Sequence, residues 1–155
     1  MTLKKWLYRG GRPNWLASIV NKFWALVHSL GVAPDYLVTL EISGRQSHST
    51  IRLPVVMVKL QGERYLVSML GAGANWVHNV KAANGDATLH HGRREEVHLE
   101  EIPADRRANI LKKYLKIAPG AREHIPVDKD APLSDFERIA AQFPVYHVEP
   151  RNSGQ

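Results

Sequence analysis

The chain has 155 residues, 44% of them hydrophobic and 23% charged, which fits one folded domain around one core. It has no cysteine, which excludes disulfides, thiolate metal sites and cysteine nucleophiles and fits a reducing cytoplasm. Twenty-one Lys and Arg against fifteen Asp and Glu give a net charge of +6, which favours an anionic cofactor, an anionic membrane face or nucleic acid as partner.

In chain order, a basic and aromatic arm (Lys4, Lys5, Trp6, Tyr8, Arg9) runs into Gly10 and Gly11. Trp15, Leu16, Ile19, Val20, Phe23, Trp24, Val27 and Leu30 then recur at helical spacing, and Gly31 and Pro34 end that helix. Asn21, Lys22 and His28 interrupt this apolar run, so it is not read as a bilayer span, and no leader peptide is expected. Tyr36 to Ser43 predicts a strand, with Val38, Leu40 and Ile42 on one face. Thr50 to Leu60 predicts a second, apolar on both faces from Val55 to Val58, and Gln61-Gly62-Glu63 turns it into a third, Tyr65 to Leu70.

A small-residue loop (Gly71, Ala72, Gly73, Ala74) leads into a helix from Asn75 to Ala83 that opens with Trp76 and carries Asn79 one turn later. Backbone N–H groups, a helix N-terminus and a flat indole thus come together, as an anionic cofactor with a flat ring requires. Strands follow at Ala87–His91 and Glu95–Ile102, then a helix at Ala104–Ala118 with Ile110, Leu111, Tyr114 and Leu115 on one stripe. Ser134 and Glu137 read as a capping box for a short helix, and Val145–Val148 is the last strand.

The fold expected is α+β: a split β-barrel of about six mostly antiparallel strands with peripheral helices and an N-terminal amphipathic helix. Residues 1–34 form the arm and helix, 35–150 the barrel, and 151–155 a frayed tail. The strands do not alternate regularly with helices and no complete G-x-G-x-x-G is present, so a doubly wound dinucleotide fold is not expected.

Two motifs resemble the deazaflavin-dependent nitroreductase and quinone-reductase family, split-barrel proteins that use coenzyme F-420. One is Gly44-Arg45-Gln46-Ser47-His48-Ser49-Thr50-Ile51-Arg52-Leu53-Pro54-Val55, against the family's G-R-K/R-S-G-x-x-R…P-L. The other is Ser68-Met69-Leu70-Gly71 with Trp76-Val77-His78-Asn79-Val80, against S-x-G-G…W-x-x-N-L. The resemblance covers nearly all of Val38 to Val148. It implies that Arg45, Gln46, Ser47 and Arg52 lie at the cofactor's phosphate and acidic tail. It puts Pro54, Val55, Ser68, Met69, Leu70, Gly71, Trp76 and Asn79 around the ring and its linker. The chain departs from the first motif at Gln46, His48 and Ile51, and strand alternation turns Arg52 away from the Ile51 face unless a bulge intervenes.

The activity implied is hydride transfer from reduced F-420 to a small flat electrophile, a quinone, nitroaromatic or enone, with Ser68, Tyr146 or His78 as proton donor. Ser68 and Tyr146 are the catalytic candidates. The alternative is a non-catalytic or differently loaded barrel that binds a lipid, a quinone, haem, or FMN or FAD, and the departures at Gln46, His48 and Ile51 favour it. No metal site is expected: His90 and His91 point to opposite faces, so only one can join His98, and no carboxylate pattern completes a triad. Nucleic acid is not expected as a partner, since basic residues such as Arg93 and Arg94 are followed at once by Glu95 and Glu96. Residues 1–31 either cover one side of the barrel or touch the inner face of the cell membrane. A homodimer is also open.

Overall fold

A computed structural model of the chain describes residues 34–151. The expectations for the N-terminal arm, its helix, the membrane contact and the last four residues therefore fall outside the described residues.

Six strands form one closed antiparallel barrel: β1 (Leu37–Ser43), β2 (Thr50–Leu60), β3 (Glu63–Val67), β4 (Asp86–His90), β5 (Arg94–Glu101) and β6 (Val145–Pro150). Their order around the barrel is β1-β2-β3-β6-β5-β4. Three helices accompany them: α1 (Asn75–Ala82), α2 (Ala108–Ile117) and α3 (Leu133–Ile139). This is the expected α+β split barrel.

Period-two alternation fills the interior. Val38, Leu40 and Ile42 of β1, Val55 and Met57 of β2, Leu66 of β3, Leu89 of β4, Val97 and Leu99 of β5, and Tyr146 and Val148 of β6 form one apolar cluster. Val77 and Val80 of α1 join it, so α1 caps the barrel at the end where β1 passes into β2. Val56 and Val58, on the opposite face of β2, meet Leu111, Tyr114 and Leu115 of α2 and Phe136 of α3 in a second cluster. Val55 to Val58 are all buried because β2 is covered on both faces.

The far end of the barrel carries charge. Arg64, Glu95 and His91 share the inward-facing parity of Leu66, Val97 and Leu89. Both Arg64 Nη atoms donate to the Glu95 carboxylate at 2.8 Å, and His91 Nε2 lies 2.9 Å from Glu95 Oε1. This triad closes the floor opposite α1.

The chain reaches β4 through Gly85, at φ +87°, where a Cβ would sit 2.4 Å from the Leu99 carbonyl; glycine alone fits. The β2–β3 turn also uses positive φ, at Gln61 and Gly62, as a two-residue hairpin demands.

Some boundaries move. The third strand ends at Val67, because Ser68 begins a turn in which its Oγ donates to the Gly71 carbonyl at 2.7 Å. The expected Ala104 helix starts as a 3-10 turn, and α2 proper begins at Ala108. The capping box does not form. Pro132, with φ −65° and ψ 156°, occupies the N-cap of α3 and puts Ser134 inside the helix, with no side-chain cap bond.

Candidate functional site

Two recesses share the first turn of α1 as a wall. The polar one, about 260 Å³, is lined by Gly44, Arg45, Gln46, Ser47, Ile51, Asn75 and Asn79. The apolar one, about 160 Å³, is lined by Leu53, Pro54, Val55, Val56, Val67, Met69, Leu70, Trp76 and Tyr114. β2 runs past both: Ile51 serves the first, and Leu53 to Val56 serve the second.

The β1–β2 turn builds the polar recess. Its backbone closes on itself through Gly44 N–H to Ser49 O at 2.7 Å and His48 N–H to Gly44 O at 2.9 Å. His48 sits at φ +58°, the left-handed conformation for which a glycine is the natural residue. Arg45 projects from this turn toward α1. Its backbone N–H donates to Asn79 Oδ1 at 3.1 Å and its Nη1 donates to the same oxygen at 2.8 Å. A longer contact of 3.5 Å joins Nη1 to the Asn75 carbonyl. No carboxylate pairs with Arg45 among the described residues. The N-cap of α1 is Ala74, which makes no side-chain cap bond, and Asn75 of the first turn lines the same recess.

The apolar recess lies between β2, the loop after β3 and α2. Trp76 is half-buried and its ring meets that of Tyr146 at a centroid distance of 5.6 Å, tilted by 56°. Leu70 is 65% exposed and stands at the rim. Gly71, at φ +89°, lets the loop pass close under the Gln142 carbonyl. Tyr114 completes the wall from α2. Its place on the stripe of that helix marked it only as a core residue, and nothing local in the sequence tied it to Trp76.

Nine of the residues expected at the cofactor thus line these recesses: Arg45, Gln46, Ser47 and Asn79 in the first, and Pro54, Val55, Met69, Leu70 and Trp76 in the second. Arg52 does not. The β1–β2 register is regular, pairing Ile42 with Ile51 and Glu41 with Arg52, so no bulge turns Arg52 inward. Arg52 lies on the outer face instead, where its Nε donates to Glu41 at 2.9 Å, and Glu41 also meets His90 at 2.9 Å.

Ser68, Tyr146 and Gly71 are not among the residues that line either recess. Ser68 is 1% exposed and its hydroxyl donates to the Gly71 carbonyl, so it shapes the turn beneath the recess. Gly71 contributes the bend and not a wall. Tyr146 is 2% exposed, its hydroxyl has no hydrogen-bond partner among the described residues, and burial pushes its pKa up to about 12. The histidines go to separate partners: His90 to Glu41, His91 to Glu95 and His98 to Asp86.

The fold has counterparts among solved structures. An F420-H2 dependent reductase, FDR-A, aligns over 76% of this chain and 97% of its own at 18% identity, with a TM-score of 0.52. A chain described as a domain-swapped dimer aligns over 88% and 98% at 19% identity, with a TM-score of 0.54. A Clostridium acetobutylicum protein of the pyridoxinephosphate oxidase family, related to general stress protein 26, aligns over 86% and 84% at 12% identity, with a TM-score of 0.50. At these identities the likeness establishes the split barrel as the fold. No family model and no curated protein matches the sequence.

Proposed function

We propose that this protein is an oxidoreductase that binds coenzyme F-420 across the two recesses and passes a hydride to a quinone, nitroaromatic or enone. The observation that carries the reading is Arg45: a guanidinium with no carboxylate partner among the described residues, at a polar recess that shares a wall with an apolar one. Such a pair of surfaces suits a ligand with an anionic tail and a flat apolar ring. The fold shared with an F420-H2 dependent reductase supports the same reading.

When bound, the reduced coenzyme supplies the hydride. The protein's residues do the rest. Arg45 and the uncapped first turn of α1 receive the anionic group. Trp76, Pro54 and Met69 form walls that hold a flat ring and exclude water, which strengthens the electrostatics of the site. Ser68 keeps the turn beneath Met69 and Leu70 in one shape through its bond to Gly71.

The test is a tryptophan fluorescence titration with the oxidised coenzyme. Saturable quenching at micromolar ligand is expected, and its amplitude falls in Trp76→Phe, because three other tryptophans (Trp6, Trp15 and Trp24) also emit. A flat trace to millimolar ligand sinks the proposal.

A second reading has its own support. Gln46 and Ile51 stand where the resemblance expects cations, and Arg52 is paired with Glu41. Arg45 is then the one cation among the residues lining the polar recess, a better match for a single phosphate than for a polyanionic tail. FMN is the alternative ligand, and tighter binding of FMN than of F-420 in the same titration selects it.

A further inference from the structure

We propose that Asn79 is a positioning residue: it fixes the Arg45 guanidinium for an oxyanion and does not itself hold the ligand. The inference rests on the reading that the polar recess takes the phosphate of a flavin-type cofactor. Two N–H donors, the backbone and Nη1 of Arg45, converge on one Asn79 atom at 3.1 and 2.8 Å. Only an acceptor can satisfy two donors, so that atom is the amide oxygen, and both its lone pairs are spent on Arg45. The Asn79 amide Nδ2 has no partner among the hydrogen bonds of the described residues, so a direct contact through it is the competing role that the double variant separates.

Asn79 is 3% exposed, whereas Arg45 is exposed. A buried, helix-borne acceptor thus anchors a surface arginine at both ends of its side chain, backbone and guanidinium. An exposed arginine otherwise samples many rotamers, and an anion must freeze them on binding. Here that ordering is done before the ligand arrives. Asn79 is also neutral, so it orders the guanidinium without cancelling its charge. The remaining donors, Nε and Nη2, have no protein partner among the hydrogen bonds of the described residues.

The test compares FMN with riboflavin, which lacks only the phosphate, on the full chain. In wild type FMN is expected to bind about tenfold or more tightly than riboflavin, as a charge-assisted phosphate contact gives. The ratio falls toward one in Arg45→Ala and in Asn79→Ala, and the double variant shows no further fall, because the two act through one contact. Asn79→Asp keeps an acceptor and hence the melting temperature, but sets a carboxylate against Arg45 and also collapses the ratio. A wild-type ratio in Asn79→Ala, or losses that add in the double variant, overturns the proposal; the additive result makes Asn79 a direct ligand contact.

Inorganic phosphate separates this proposal from the cofactor reading. A saturable shift of the Arg45 Nε–H signal in ¹H–¹⁵N spectra that vanishes in Asn79→Ala upholds the positioning role even if no flavin or deazaflavin binds. No shift in wild type overturns it, even if a flavin does bind.

Discussion

Tyr146 holds a buried hydroxyl without a hydrogen-bond partner among the described residues, on a ring packed against Trp76. An unpaired buried polar group costs about 1–3 kcal/mol, so removing the oxygen relieves a penalty. Tyr146→Phe is therefore expected to raise the free energy of unfolding by about 1 kcal/mol in a urea titration. A loss of similar size would mean that the hydroxyl has a partner. At this scale the sequence was legible where alternation was the governing rule. Ile51 toward the recess and Arg52 away from it follow from strand parity alone, and parity also groups Tyr146 with the interior Val148. The resemblance, by contrast, implies both Tyr146 and Arg52 at the cofactor, whereas Arg52 pairs with Glu41 on the outer face. Arg107 left no local signal at all. Its buried guanidinium ties Ile102 O, Ala140 O and Glu101 Oε2 together at 2.9, 3.0 and 2.9 Å, across up to 33 residues of chain, while the neighbouring Arg106 is exposed.

Among the elements, the β1–β2 turn carries backbone strain at the recess itself; Gln61 and Asn84 are the other non-glycine residues at positive φ among the described residues. His48 adopts φ +58°, which costs an L-residue about 1–2 kcal/mol, partly offset by the lower chain entropy it has when unfolded relative to glycine. His48→Gly is expected to stabilise the protein by roughly 0.5–1 kcal/mol, read as a rise in thermal midpoint, without moving Arg45. A fall in midpoint would show that the imidazole makes a contact worth more than the strain. Hairpins and strands were legible to within two or three residues, because two-residue turns and alternating apolar faces are local signals. β2 matches its expected span, Thr50 to Leu60. Helix starts were less legible. Pro132 overrode the S-x-x-E pattern, and the 3-10 turn from Ala104 to Arg106 delayed α2 by four residues. Both outcomes depend on where the preceding loop enters, which is a matter of tertiary packing.

For the molecule as a whole, net charge and site charge separate. Five basic residues and no acidic one precede residue 34, which leaves sixteen basic against fifteen acidic in the rest of the chain. The anionic partner inferred from +6 thus has only Arg45 to meet among the described lining of the polar recess. The larger ionic feature is the barrel floor, where Arg64 holds the Glu95 carboxyl at about 2, helped by His91. The folded pKa lies below the unfolded value near 4.5, so the stabilisation is complete above about pH 5 and is lost as pH falls toward 2. Glu95→Gln is expected to cost about 1.5–3 kcal/mol at pH 7, as charge-assisted hydrogen bonds do. Urea titrations from pH 7 to 3 should find the gap to wild type narrowing with acid; a constant gap would mean that the carboxylate's charge is irrelevant. The barrel closes only through its last strand. β6 supplies both the β3 seam, from Tyr65–His147 to Val67–Val145, and the β5 seam, from Val97–Pro150 to Glu101–Tyr146. A growing chain on the ribosome consequently carries two unpaired sheet margins until residues 145–150 emerge, and during that interval it is exposed to wrong strand partners and to aggregation.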